Sequence, residues 1–83
     1  MVIKVLGAGC ANCQRLEALA KEVTKELGID AQIEKVTDYK QIMSYGIMAT
    51  PGLVINEKVV SAGRIPSKAE VTTWITSALS EEK

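Results

Sequence analysis

From Val2 to Leu6 the chain is apolar at every position except Lys4, and after Gly7-Ala8-Gly9 its hydrophobic period switches from strand to helix. A nearly continuous apolar run marks a strand covered on both faces. From Ala11 to Leu27 the residues Cys13, Leu16, Ala20, Val23 and Leu27 recur at helical spacing, with Leu19 alongside. Gln14, Arg15, Glu17, Lys21, Glu22, Lys25 and Glu26 fill the opposite face, and Gly28 supplies a stop. A buried strand that feeds such a helix calls for a second strand, parallel to the first and reached by a right-handed crossover.

The remaining segments supply that strand and four more elements. Ile29, Ala31 and Ile33 alternate with Asp30, Gln32 and Glu34, which predicts a half-exposed strand near a sheet edge. Asp38 with Gln41 resembles a capping box opening a short helix that carries Tyr39, Ile42 and Met43 and stops at Gly46. Ile47 to Pro51 must then run extended, because a residue before proline avoids the helical region. Leu53-Val54-Ile55 and Lys58-Val59-Val60 flank Asn56-Glu57 and read as a hairpin, with a loop expected to exceed two residues because Glu57 stands where glycine suits the turn. Ser67 and Glu70 form a second capping box before the stripe Val71, Trp74, Ile75, Ala78 and Leu79, and Glu81 to Lys83 are expected to fray. The order β-α-β-α-β-β-α predicts an α/β fold, a four-stranded mixed sheet flanked by three helices.

With 83 residues and no linker, repeat or low-complexity stretch, residues 1–83 are expected to form a single domain. A chain of this size buries about 60% of its unfolded surface, so its stability should be modest. The hydrophobic fraction of 47% excludes disorder, and no apolar run is long enough for a membrane span. The first residues lack a cleavage-site pattern and read as strand rather than signal peptide, which makes the cytoplasm the expected location. Ten basic and ten acidic residues cancel and are dispersed, so no nucleic-acid footprint is visible. Neither membrane nor nucleic-acid partners are expected, and the chain is expected to be a monomer.

Cys10-Ala11-Asn12-Cys13 holds both cysteines at the point where the first strand turns into the first helix. Residues i and i+3 on a first helical turn lie roughly 5–6 Å apart between Cα atoms, within the range of a disulfide. The partial positive charge and free N–H groups of the helix start favour a thiolate at Cys10. Helical phase puts Cys13 on the inner side. A loop this short would contribute only about 2 kcal/mol as a structural staple, against nearly 5 for a ~100-residue loop, so a purely structural bridge is not the expected role. In a reducing compartment such a pair is more often catalytic or metal-binding.

This element order, with Cys-x-x-Cys after the first strand and Thr50-Pro51 before the hairpin, resembles the thioredoxin fold at its minimal size along the whole chain. More narrowly, the chain is similar to the small prokaryotic thioredoxin-like proteins named redox-active disulfide protein 2. The resemblance implies a thiol–disulfide oxidoreductase acting on protein disulfides without a cofactor, recharged by a reductase of unspecified identity. It implies Cys10 as nucleophile, Cys13 as resolving thiol and Pro51 as a cis-proline facing them. It further implies Thr50 as the residue whose backbone binds an extended substrate segment, and Gly63 as the glycine that leaves room for it.

The chain departs from the thioredoxin pattern at several positions. Gly9 replaces the tryptophan before the first cysteine, and Ala11-Asn12 replaces Gly-Pro between the two. Lys4 replaces the buried acid six residues before the first cysteine, so proton transfer to Cys13 must use another group or water. Were Lys4 to face the site, its charge would favour a thiolate. Glutathione-binding features of glutaredoxins are not evident.

Other readings of the same residues were weighed. Leu6 to Cys13 also resembles the loop of heavy-metal-associated domains, and two thiolates suit Cu(I), which makes a soft-metal carrier the alternative function. Against it, Ala8 stands where that family usually has methionine, and in that family two strands follow the first helix without the helix read here at Asp38 to Tyr45. A closed zinc site needs four ligands, whereas this chain has two cysteines and no histidine. An adaptor with idle cysteines is a third class. Trp74 is read as a core anchor, Met43 and Met48 as packing residues, and Arg15 and Lys21 as solvated charges.

Overall fold

The computed structural model describes residues 1–7, 9 and 11–81. Strand β1 (Val2–Leu6) leads into helix α1 (Ala11–Leu27), strand β2 (Gln32–Val36), helix α2 (Tyr39–Ser44), strands β3 (Gly52–Ile55) and β4 (Lys58–Ala62), and helix α3 (Lys68–Glu81). The strands form one mixed sheet in the order β2-β1-β3-β4. β1 runs parallel to β2, with Ile3 beside Ile33 and Val5 beside Lys35, and antiparallel to β3. This is the expected element order, and β2 lies at an edge.

Strict alternation along the central strands divides the core into two clusters. Ile3, Val5, Leu53 and Ile55 point to one face, where Leu16, Ala20 and Val23 of α1 and Val71, Ile75 and Ala78 of α3 cover them. Leu6 and Val54 point to the other, where they meet Val36, Ile42 and Ile47 beneath α2. Trp74 packs partly buried against the larger cluster, as an anchor would.

The helix ends follow their local chemistry. Gly28, at φ 67°, closes α1 with a pair of bonds, Gly28 N to Lys25 O at 3.1 Å and Ile29 N to Thr24 O at 3.0 Å. The second capping box is complete: Glu70 N donates to Ser67 Oγ and Ser67 N donates to Glu70 Oε1, both at 3.1 Å. Asp38 caps α2 by accepting from Lys40 N at 3.2 Å, two residues on. In α3 the hydroxyls of Thr72, Thr73 and Thr76 donate back to the carbonyls of Lys68, Ala69 and Thr72 at 2.8 to 3.0 Å.

Several expectations are corrected. β2 starts at Gln32 and continues to Val36, so Ile29 to Ala31 form its approach instead of its first half. The hairpin loop is two residues long, Asn56 and Glu57, with φ of 50° and 68°, since Ile55 pairs directly with Lys58. A positive φ at Glu57 is tolerated because its carboxylate binds Lys4 Nζ at 2.7 Å and accepts from Tyr45 Oη at 3.2 Å. Asn56 holds the other half of the turn, accepting from Val2 N at 3.0 Å and donating its own N–H to Val2 O at 2.9 Å. Leu27 is exposed because the last turn of α1 runs past the packed part of the helix. Met43 and Met48 are exposed, not packed: α2 is only six residues long and buries a single side chain, Ile42. Glu81 is held in α3 and pairs with Lys58 at 3.0 Å, while the other two residues expected to fray lie outside the described residues. Among the described residues, no helix is long and apolar enough to cross a membrane.

Candidate functional site

The parallel ladder continues one step past β1, where Gly7 N donates to Val36 O at 2.9 Å. That bond holds Gly7 in the sheet plane while the first turn of α1 passes over it. A Cβ built on Gly7 would overlap Cys13 Sγ and would lie 3.3 Å from Cys13 Cβ and 3.8 Å from Thr50 Cβ. The missing side chain of Gly7 is therefore the seat of the Cys13 sulfur, and Thr50 closes on the same spot from the other side. Cys13 is only 5% exposed and is disulfide-bonded. Cys10, expected to be the attacking thiol, lies outside the described residues, as does Ala8.

Thr50 is exposed and joined to the buried Pro51 by a cis peptide bond. Gly63 follows β4 and donates its N–H to Pro51 O at 2.9 Å, which extends the β3–β4 pairing into the two loops. It has φ 78°, and a Cβ there would come within 3.1 Å of Ala49 Cβ, so a side chain at this point is disfavoured twice. Arg64 then makes a two-pronged bridge to Glu70 at 3.1 and 2.8 Å, which ties this loop to the first turn of α3. With Ser67 N adding to the hydrogen bonds from Arg64, the Glu70 carboxyl is pulled down to about 2. The structure thus brings Cys13 and Thr50 together around Gly7, and joins Pro51 to Gly63 by a hydrogen bond.

Lys4 lies away from the cysteine. Its Nζ binds Glu57 at 2.7 Å and donates to Tyr45 Oη at 2.9 Å, and it sits 5.6 Å from the centre of the Tyr45 ring. The hydrogen bonds it donates to Glu57 and then to Tyr45 raise its pKa above the ordinary lysine value. Its charge is committed to the hairpin and α2.

Behind Cys13 lies a cavity of about 50 Å³, lined among others by Val5, Gly7, Cys13, Glu17, Lys35 and Thr37. Glu17 follows Cys13 by one helical turn and so shares its side of α1. Its side chain is 15% exposed and pairs with Lys21 at 3.2 Å and with Lys35 at 3.3 Å. Burial pushes the Glu17 carboxyl up, but hydrogen bonds from Lys21 and Lys35 outweigh it and hold the group below the ordinary carboxylate range. The sequence reading placed Glu17 on the solvated face and gave Gly7 only a turn role. The i, i+4 spacing from Cys13 was the one signal that could have found Glu17.

The thioredoxin domain family matches residues 1–76. The thioredoxin of Methanothermobacter thermautotrophicus is 48% identical over 71 residues, covering 86% of this chain and 92% of that protein. The thioredoxin of Methanocaldococcus jannaschii is 38% identical over 79 residues, covering 95% of this chain and 91% of that one. Among solved structures, thioredoxin 1 from the thermophilic eubacterium Thermosipho africanus superposes with a TM-score of 0.63 over 99% of this chain and 98% of its own, at 20% identity, a likeness of fold. The chain belongs to the thioredoxin family.

Proposed function

We propose that the chain reduces or forms disulfides in other proteins through Cys10 and Cys13. As a thioredoxin-like disulfide oxidoreductase it needs one thiol that can reach a substrate and one that cannot be reached until the first has reacted. Cys10 attacks a substrate disulfide and Cys13 resolves the mixed disulfide. The observation that carries this reading is the seat of Cys13: a sulfur 5% exposed, packed against the bare backbone of Gly7 and bordered by Thr50. A thiol held there is shielded from bulk oxidants and substrates.

The neighbouring loops support the substrate assignment. Thr50 is exposed beside that seat and offers its backbone to an extended segment of the substrate, with Pro51 shaping the loop and Gly63 leaving the approach open. The substrates are protein disulfides, the recharging partner is a reductase, the location is the cytoplasm, and residues 1–83 act as a single domain.

Replacing Cys13 with serine should trap a mixed disulfide with a protein substrate through Cys10, seen as a dithiothreitol-sensitive adduct by mass spectrometry. Insulin reduction should be lost in Cys10→Ser. Adducts that form on Cys13 when Cys10 is replaced, with turnover retained, would reverse the assignment.

A further inference from the structure

Resolution of a mixed disulfide requires Cys13 to become a thiolate in a place with little water. Lys4 stands where an acid was expected to help and points to the opposite face of the sheet, bound to Glu57 and Tyr45. Among the described residues, the charged side chains that line the cavity with Cys13 are Glu17 from α1 and Lys35 from β2, the strand residue beside Val5, and Lys21 pairs with Glu17 from the next turn of α1. Glu34, beside Lys4 in the sheet, alternates to the face away from α1. Of the groups at the cavity, only Glu17 offers carboxylate oxygens as acceptors.

We propose that Glu17 is the positioning residue that accepts the Cys13 proton during resolution, through water in the cavity the two side chains share. The inference rests on the thiol–disulfide reading above. Three observations carry it. Glu17 and Cys13 lie one helical turn apart and line the same cavity. The volume of about 50 Å³ is enough for a bridging water, which needs on the order of 10–15 Å³. Lys35 and Lys21 hold the carboxylate in a fixed, largely covered position at 3.3 and 3.2 Å.

In the step itself, Cys13 Sγ attacks Cys10 Sγ of the Cys10–substrate disulfide. A Cys10–Cys13 bond forms, the Cys10–substrate sulfur bond breaks, and its electron pair leaves on the substrate sulfur. The Cys13 proton passes to the Glu17 carboxylate and on to solvent, and the departing thiolate is protonated in turn. The two enzyme sulfurs are oxidised and the substrate disulfide is reduced to two thiols. The dithiol form of the protein is the reductant.

The test separates the two chemical steps. Reduced protein is mixed with an aromatic disulfide whose released thiolate is coloured, so that attack by Cys10 and resolution by Cys13 each release one equivalent. Glu17, held below the ordinary carboxylate range, assists as a weak base that falls short of the ~10²-fold of a matched one, so Glu17→Gln should slow the second release about three- to tenfold at neutral pH. The first release should keep its rate, and the deficit should shrink as pH rises past the thiol pKa. Glu17→Asp should recover part of the rate, and Glu26→Gln, which removes a salt bridge to Lys68 at the far end of α1 and leaves the cavity untouched, should stay within about twofold of the parent. A second release in Glu17→Gln at the parent rate across this range overturns the proposal. So does an equal slowing in Glu26→Gln, or of both releases, because that is the mark of a structural loss. A Cys10→Ser protein that still gives the first release at the parent rate would overturn the underlying reading instead, whatever Glu17 does.

Discussion

The two faces of the sheet use the same strands for different ends. Among the described residues, ten buried apolar side chains fill the layer that α1 and α3 close over the sheet, and at one end of it sit Gly7, Cys13 and the Glu17–Lys35 pair. Beneath α2 there are five, and beside them a lysine, a tyrosine and a glutamate tie β1 to the hairpin. A thiol that has to be kept from solvent lies on the side where burial is deep. The charged tie lies where the apolar cover is thin, and there it fixes a turn whose own residues do not favour it.

The largest effect that would break this contrast is expected at Gly7. Since a Cβ there overlaps Cys13 Sγ, Gly7→Ala should displace the sulfur, and a misplacement on the order of 1 Å can reduce turnover by about 10²-fold. Insulin reduction by a variant with a native circular dichroism spectrum would measure it, and turnover near the parent rate would mean the seat is not needed. Next in size is a pair of truncations. Leu16→Ala removes a side chain with no exposure from the larger cluster and should destabilise by about 3–5 kcal/mol, whereas Ile42→Ala, in the smaller cluster, should come nearer about 2. Urea midpoints at equal slope would rank them, and equal losses would show that the two layers are energetically alike.

The smallest expected effect concerns the charged tie. Chiefly the hydrogen bond from Lys4 lowers the Glu57 carboxyl below its ordinary value of 4.5. A carboxyl lowered in the folded state stabilises it above the ordinary value, and that contribution fades as pH falls through the folded value. Glu57→Gln should therefore lose a little stability at neutral pH and flatten the acid side of the stability profile, followed by thermal melts from neutral to acid pH. An unchanged acid side would mean that solvent screens the pair completely.

What the sequence made legible was whatever repeats locally. Cys13, Leu16, Ala20 and Val23 sit inward as their spacing predicts, and Ser67 with Glu70 forms both halves of its capping box. The residues that escaped depend on partners far along the chain. Glu57 has a turn conformation unsuited to glutamate unless Lys4, 53 positions earlier, holds its carboxylate. Glu17 belongs to the polar side of α1 by period alone, and only the arrival of Lys35 on the neighbouring strand covers it. Met48 reads as a packing residue by its type, yet it is 96% exposed, because the chain between α2 and Pro51 turns Ile47 inward in its place. For the site, the pair of cysteines and the Thr50-Pro51 loop could be found from motif and order, whereas Gly7 could not, since nothing local shows what a glycine makes room for.

Helix α3 owes more to the sheet than to its own residues. Val71, Thr72, Thr73, Ile75 and Thr76 are all β-branched and lose side-chain freedom in a helix, and three of the hydroxyls compete for the carbonyls of the turn before them. Cut off from Ile55 and Leu53, such a segment has little reason to stay coiled. Its order is lent to it by docking, and what it returns is a lid over one side of the core. Local opening of the molecule should thus begin by α3 peeling from the sheet, and the Arg64–Glu70 bridge makes the loop that holds Gly63 and Pro51 sensitive to that event at a distance from the cysteines.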